Sequence, residues 1–90
     1  MRNSVIETIL RLIDEKARLP IPARVLPPES DLYRVGLTPF TAIQLMLALE
    51  KEFEVEFPRR MLNRRSMSSV NAICSSICEL QRRETPPKAA

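Results

Sequence analysis

The chain has no histidine and a single glycine, and each of these shortages removes a class of function. Histidine is the commonest general base and metal ligand at neutral pH, and neither role has an obvious substitute here. Gly36 stands alone, so there is no glycine-rich loop to cradle a phosphate, and turn-rich β architectures are disfavoured. No carboxylate pair stands apart from ordinary surface charge; no catalytic residue is assigned, and the chain reads as a protein without enzymatic activity of its own. The two cysteines, Cys74 and Cys78, are four residues apart on one helix. That spacing is poor for a disulfide and two ligands short of a structural zinc site, so they read as small apolar fillers in a reducing compartment, with no metal expected. Long apolar runs are missing too: nothing approaches the roughly 18 residues that cross a bilayer. Met1-Arg2-Asn3-Ser4 leads into an amphipathic segment without a signal-peptide core. A cytoplasmic protein with no membrane partner is the expectation.

What remains is a helical composition. Of 90 residues, 44% are hydrophobic and 28% charged, which suits one small domain with a modest core and little room for an enclosed substrate cavity. The formal charge of +3 arises from 14 basic and 11 acidic residues. This mild excess suits an acidic partner without requiring nucleic acid.

Ser4-Val5-Ile6-Glu7 has capping-box spacing and predicts a helix start there. Ile6, Ile9, Leu10, Ile13 and Ala17 form its apolar stripe, and Pro20 and Pro22 end it. From Leu19 to Gly36 four prolines enforce a long loop, which Val25, Leu26, Leu32 and Tyr33 are placed to pin. A second helix is predicted from Thr38 to about Phe53, with Thr38 as N-cap and Pro39 at the first helical position, where a missing N–H costs nothing. Its inner face is Ala42, Leu45, Met46, Leu49 and Phe53; Phe40, Gln44, Leu47 and Lys51 point the opposite way. Pro58 opens a short turn through Leu62. Ser66 is the candidate cap of a last helix whose apolar face is Met67, Val70, Ile73, Cys74, Ile77 and Leu80, with Arg82 and Arg83 complementing its dipole. Residues 1–84 form the domain and 85–90 a flexible tail. The fold class is all-α: a small bundle of three main helices, one short helix and a long first loop, expected to be a monomer.

Local wording narrows this architecture. Asp31-Leu32-Tyr33-Arg34-Val35-Gly36-Leu37, then Thr38-Pro39-Phe40, then Ile43 through Phe53 and Val55-Glu56-Phe57-Pro58, resembles the acyl carrier proteins around their attachment site. Gly36-Leu37-Thr38, Phe40, Gln44-Leu45-Met46-Leu47, Glu56-Phe57-Pro58, Leu62-Asn63-Arg64 and Ser66 are closer still to the bacterial stand-alone aminoacyl carrier proteins. The resemblance implies a phosphopantetheine arm, taken from coenzyme A, on the serine that opens the second helix. It also implies partners such as an acyl- or aminoacyl-activating ligase or transferase, which perform the chemistry.

At the matching position this chain has Pro39. Proline has no hydroxyl and cannot form the phosphodiester. Thr38, the neighbouring hydroxyl, occupies the place of the family's aspartate and is assigned to the cap, while Thr41 reads as a solvated helical residue. The expected function is therefore a carrier-protein homologue that docks on carrier-dependent enzymes through its second helix without a covalent arm. The docking candidates are Phe40, Thr41, Gln44, Leu47 and Lys51, with Arg59 and Arg60 from the basic cluster that Arg64 and Arg65 complete. One alternative is an active carrier that uses a nearby hydroxyl or whose native residue 39 is serine. Another is a weak basic nucleic-acid binder; its case is poor, because Ser68, Ser69, Asn71 and Ser75 begin the last helix where arginine and lysine would be needed.

Overall fold

The computed structural model describes the backbone of residues 2–84 and the side chains of residues 4–82. Arg83 and the 85–90 tail assigned above lie outside the described side chains and residues. The described residues form four α-helices, α1 (Arg2–Leu12), α2 (Leu32–Val35), α3 (Pro39–Phe53) and α4 (Val70–Glu84), with one 3₁₀ turn, Ala23–Val25, between α1 and α2 and two, Arg59–Met61 and Arg64–Met67, between α3 and α4. There is no strand among the described residues. The expected all-α bundle is the fold found.

Helix α1 continues as a wider π turn over Ile13–Ala17 and stops at Arg18, whose φ of 50° and ψ of 50° place it in the left-handed region. The chain thus leaves the helix just before Pro20. Helix α1 starts earlier than expected: Arg2 is already helical, so Ser4 lies inside the first turn and does not cap it. Nothing in Arg2-Asn3 opposes helix formation, and Glu7 is otherwise engaged, its Oε1 accepting from Arg24 Nη2 at 3.0 Å.

The proline-rich connection is pinned by Leu26, Leu32 and Tyr33 as predicted, but by Ala23 in place of Val25. Val25 is exposed, whereas Ala23 and Leu32 are completely buried. Leu26 and Tyr33 pack partly against the core as expected. Polar ties do the rest: the Ala23 N–H donates to Asp14 Oδ1 at 2.9 Å, Leu32 N–H to the Ser68 carbonyl at 2.7 Å and Asn71 N–H to the Pro28 carbonyl at 3.0 Å. Asp31 caps α2 by accepting from the Tyr33 N–H at 3.0 Å. Gly36 ends α2 with φ of 140°, and a Cβ there would sit 3.4 Å from Pro20 Cδ, so the one glycine stands where a side chain is strained.

Helix α3 packs mainly against the Ile13–Ala17 turn, and α1 lies against both α3 and α4. Ile9, Ile13, Leu32, Leu45, Leu49, Met67, Ile73 and Ile77 are the largest fully buried side chains. Both predicted apolar faces, on α3 and on α4, therefore point inward. The cap of α4 is Ser69, whose Oγ accepts from the Ala72 N–H at 3.0 Å. Ser66 is buried in the preceding turn, its N–H held by Asn63 Oδ1 at 3.0 Å. Three serines crowd this stretch, and only the one that the intervening 3₁₀ turn delivers to the helix start can act as cap.

Candidate functional site

The site is built on the opening of α3. Thr38 is extended, with φ of −110° and ψ of 164°, and Pro39 is the first helical residue. Thr38 Oγ1 accepts from the Thr41 N–H at 3.1 Å, and Thr41 Oγ1 accepts from the Thr38 N–H at 3.0 Å. The same Thr41 hydroxyl donates to the Thr38 carbonyl at 3.2 Å. Thr41 is thus the second half of a reciprocal cap and not a free surface residue; the Thr-x-x-Thr spacing carried that signal. Both hydroxyls nearest Pro39 are spent on the helix start.

Past the cap, one face of α3 is apolar and open. Phe40, Ile43 and Leu47 are 69%, 57% and 59% exposed, and their spacing puts them in one row. Ile43 was not singled out from sequence because it falls between the inner and outer faces of the helical wheel. The row is a ridge between two grooves.

On one side lies a groove of about 620 Å³ bounded by Pro39, Met46, Phe57, Leu62 and Met67 together with Ile43 and Leu47. Its floor is held by Glu50, whose Oε2 accepts the Phe57 N–H at 2.8 Å. Arg64 lies over the Tyr33 ring, 4.1 Å from its centroid, at the edge of this groove. Burial pushes the Tyr33 phenol above its ordinary pKa; Arg64 pulls it back and Asp31 adds to the rise, so the ring is neutral at physiological pH. On the other side, a shallower groove is lined by Lys16, Arg18, Thr41, Gln44, Leu47 and Lys51.

The basic cluster does not act as one surface. Arg60 Nη2 bonds Glu79 Oε2 at 2.9 Å across to α4, and Arg64 is committed to Tyr33. Arg59 and Arg65 remain exposed. Cys74 and Cys78 are half-buried and form no disulfide among the described residues. No group of three or more potential metal ligands occurs among the described residues, and none of their helices is long and apolar enough to cross a membrane.

A three-helix core, a pinned first loop and a capped central helix with an open apolar face define a carrier-protein type of bundle. Residues 7–77 match the family described as phosphopantetheine attachment site, and the chain belongs to that family. Its members carry phosphopantetheine as their prosthetic group and are not themselves catalytic. The aminoacyl carrier protein of Agrobacterium fabrum is 42% identical over 66 residues, 73% of this chain and 80% of that protein. Among solved structures, this chain superposes with a TM-score of 0.80 and 37% identity on a chain from a crystal structure of engineered Bradyrhizobium japonicum glycine:[carrier protein] ligase complexed with carrier protein from Agrobacterium tumefaciens and ATP. That match covers 83% of this chain and 97% of the other. A solution structure from Agrobacterium tumefaciens matches over the full length of both chains with a TM-score of 0.64 and 33% identity.

Proposed function

We propose that this carrier-protein homologue docks on carrier-dependent enzymes through α3 without holding a covalent phosphopantetheine arm. The observation that carries the reading is the contrast at the start of α3. Pro39 has no side-chain hydroxyl and both neighbouring hydroxyls are locked in the Thr38–Thr41 cap, whereas the Phe40–Ile43–Leu47 ridge is open. The residues present do not fit a covalently attached arm, but they do fit a docking surface. Modification at Thr38 or Thr41 would require breaking a cap that contributes about 1 kcal/mol.

The partner class is an acyl- or aminoacyl-activating ligase or transferase. Its support is the related carrier whose crystal structure is a complex with a glycine:[carrier protein] ligase. Phe40 and Leu47 supply the apolar anchors, Ile43 joins them, and Thr41, Gln44, Lys51 and Arg59 form the rim. Arg60 contributes less, since its guanidinium already faces Glu79. Cytoplasmic residence and a one-domain body over residues 1–84 belong to the same reading.

Two measurements test it. Intact mass after incubation with coenzyme A and a phosphopantetheinyl transferase is expected to stay unchanged; a gain of one arm overturns the unarmed reading. Binding of the Bradyrhizobium japonicum glycine:[carrier protein] ligase is expected to weaken about 100-fold in a Phe40→Ser, Leu47→Ser double variant, because two anchor side chains lose their desolvation. Unchanged binding removes α3 from the interface.

A further inference from the structure

The charge around the α3 ridge identifies the chemistry of what it meets. Lys16 and Arg18 come from the end of the first helix and Lys51 from α3 itself, yet all three line one groove beside Leu47. None of them forms an ion pair among the described residues. The one carboxylate in that groove, Glu15, is drawn to Arg11 Nη1 at 3.3 Å, and Arg11 reaches Glu52 as well, at 3.5 Å. The flank is therefore a row of unmatched cations.

Across the ridge, Arg64 is the cation of the apolar groove, resting on the Tyr33 ring with no carboxylate partner among the described residues. Two carboxylates share that groove. Glu50 is bound to the Phe57 N–H, and Glu56 lies beyond the end of α3, next to Glu54 and Val55. Phe40, Ile43 and Leu47 thus stand between an unmatched cationic flank on one side and, on the other, a groove whose cation Arg64 is outnumbered by Glu50 and Glu56. Unpaired cations along one flank of an apolar anchor favour a complementary potential on the part of the opposing face they meet and disfavour a basic one there.

Resting on the docking reading above, we infer that the protein surface received by α3 is an apolar socket with carboxylates along the edge that meets Lys16, Arg18 and Lys51. The apolar residues supply most of the affinity, and the cationic flank sets the choice of partner and speeds encounter. A basic partner surface is rejected by like charge along that flank.

The test uses the Bradyrhizobium japonicum ligase as probe and the full-length chain. Lys16→Glu, Arg18→Glu and Lys51→Glu together should lower affinity at least about tenfold at low salt, mostly through the association rate, with the deficit shrinking as salt rises. The neutral set Lys16→Gln, Arg18→Gln and Lys51→Gln should fall between, which guards against a folding defect in the charge-reversed protein. Arg24→Glu, whose guanidinium sits on Glu7, controls for net charge and should change affinity less than threefold. If Phe40→Ser with Leu47→Ser abolishes binding while charge reversal leaves it intact, the acidic-edge inference fails and the docking reading stands. If neither set changes binding, both fail. Self-association of the chain that the charge reversal dissolves would assign the ridge to a second copy, bearing Glu54 and Glu56, and would also overturn the inference.

Discussion

Pro39→Ser is expected to convert a chain that takes no arm into one that gains a single phosphopantetheine on incubation with coenzyme A and a phosphopantetheinyl transferase, an all-or-none change in intact mass. The geometry for this is already present. Pro39 is exposed at the first position of α3, where no backbone N–H is needed and any residue with helical φ fits. Serine there adds a hydroxyl at the helix start without disturbing the Thr38–Thr41 cap, because the cap uses only the residues on either side of the first turn. The cost in stability is small, about 0.4–1 kcal/mol, from releasing the conformational restriction that proline places on the unfolded chain. A folded Pro39→Ser protein that stays unmodified would show that the surface read by the transferase has diverged along with the attachment atom.

The second large effect concerns the phase of α3. Leu45→Ala is expected to cost about 2–5 kcal/mol, since Leu45 is fully buried and the vacated space cannot close completely. Thermal unfolding should register this as a fall of more than about 8 °C for a domain of this size. Leu47→Ala removes the same atoms two residues away from a side chain that is mostly in solvent, and should cost less than about 0.5 kcal/mol. The pair separates the core face from the open face of one helix. Comparable losses at both positions would mean that the ridge is part of the fold and not an open surface.

Much of this helix was legible because its signals are local. A threonine followed by proline sets the start, and spacing alone places Ala42, Leu45 and Leu49 inside and Phe40 and Leu47 outside. The inner face of α4 was readable for the same reason. Ser4 misled because capping-box spacing says nothing about whether the preceding residues are already helical, and Ser66 misled because the Asn63 side chain claims its N–H. Val25 and Ala23 exchanged roles since the loop is held by the Asp14 carboxylate, nine residues away along the chain, and not by side-chain size. The basic cluster looked continuous in sequence, but it is divided by partners supplied from other elements: Glu79 for Arg60 and Tyr33 for Arg64. The cationic flank of the ridge was hidden for the complementary reason. Lys16 and Arg18 meet Lys51 only when the first helix packs on α3.

Those two faces give the proline at position 39 its meaning. On the function proposed above, it removes the side-chain atom that would bear an arm and leaves the surface around it whole, so docking and covalent loading are expected to be separable. The measurement that addresses this most directly is a titration of the Bradyrhizobium japonicum ligase with the natural chain, shown by intact mass to be without an arm, beside the armed Pro39→Ser protein. Saturable one-to-one binding of the natural chain, within about tenfold of the armed variant, is the result predicted here; binding that appears only once the arm is in place would contradict it.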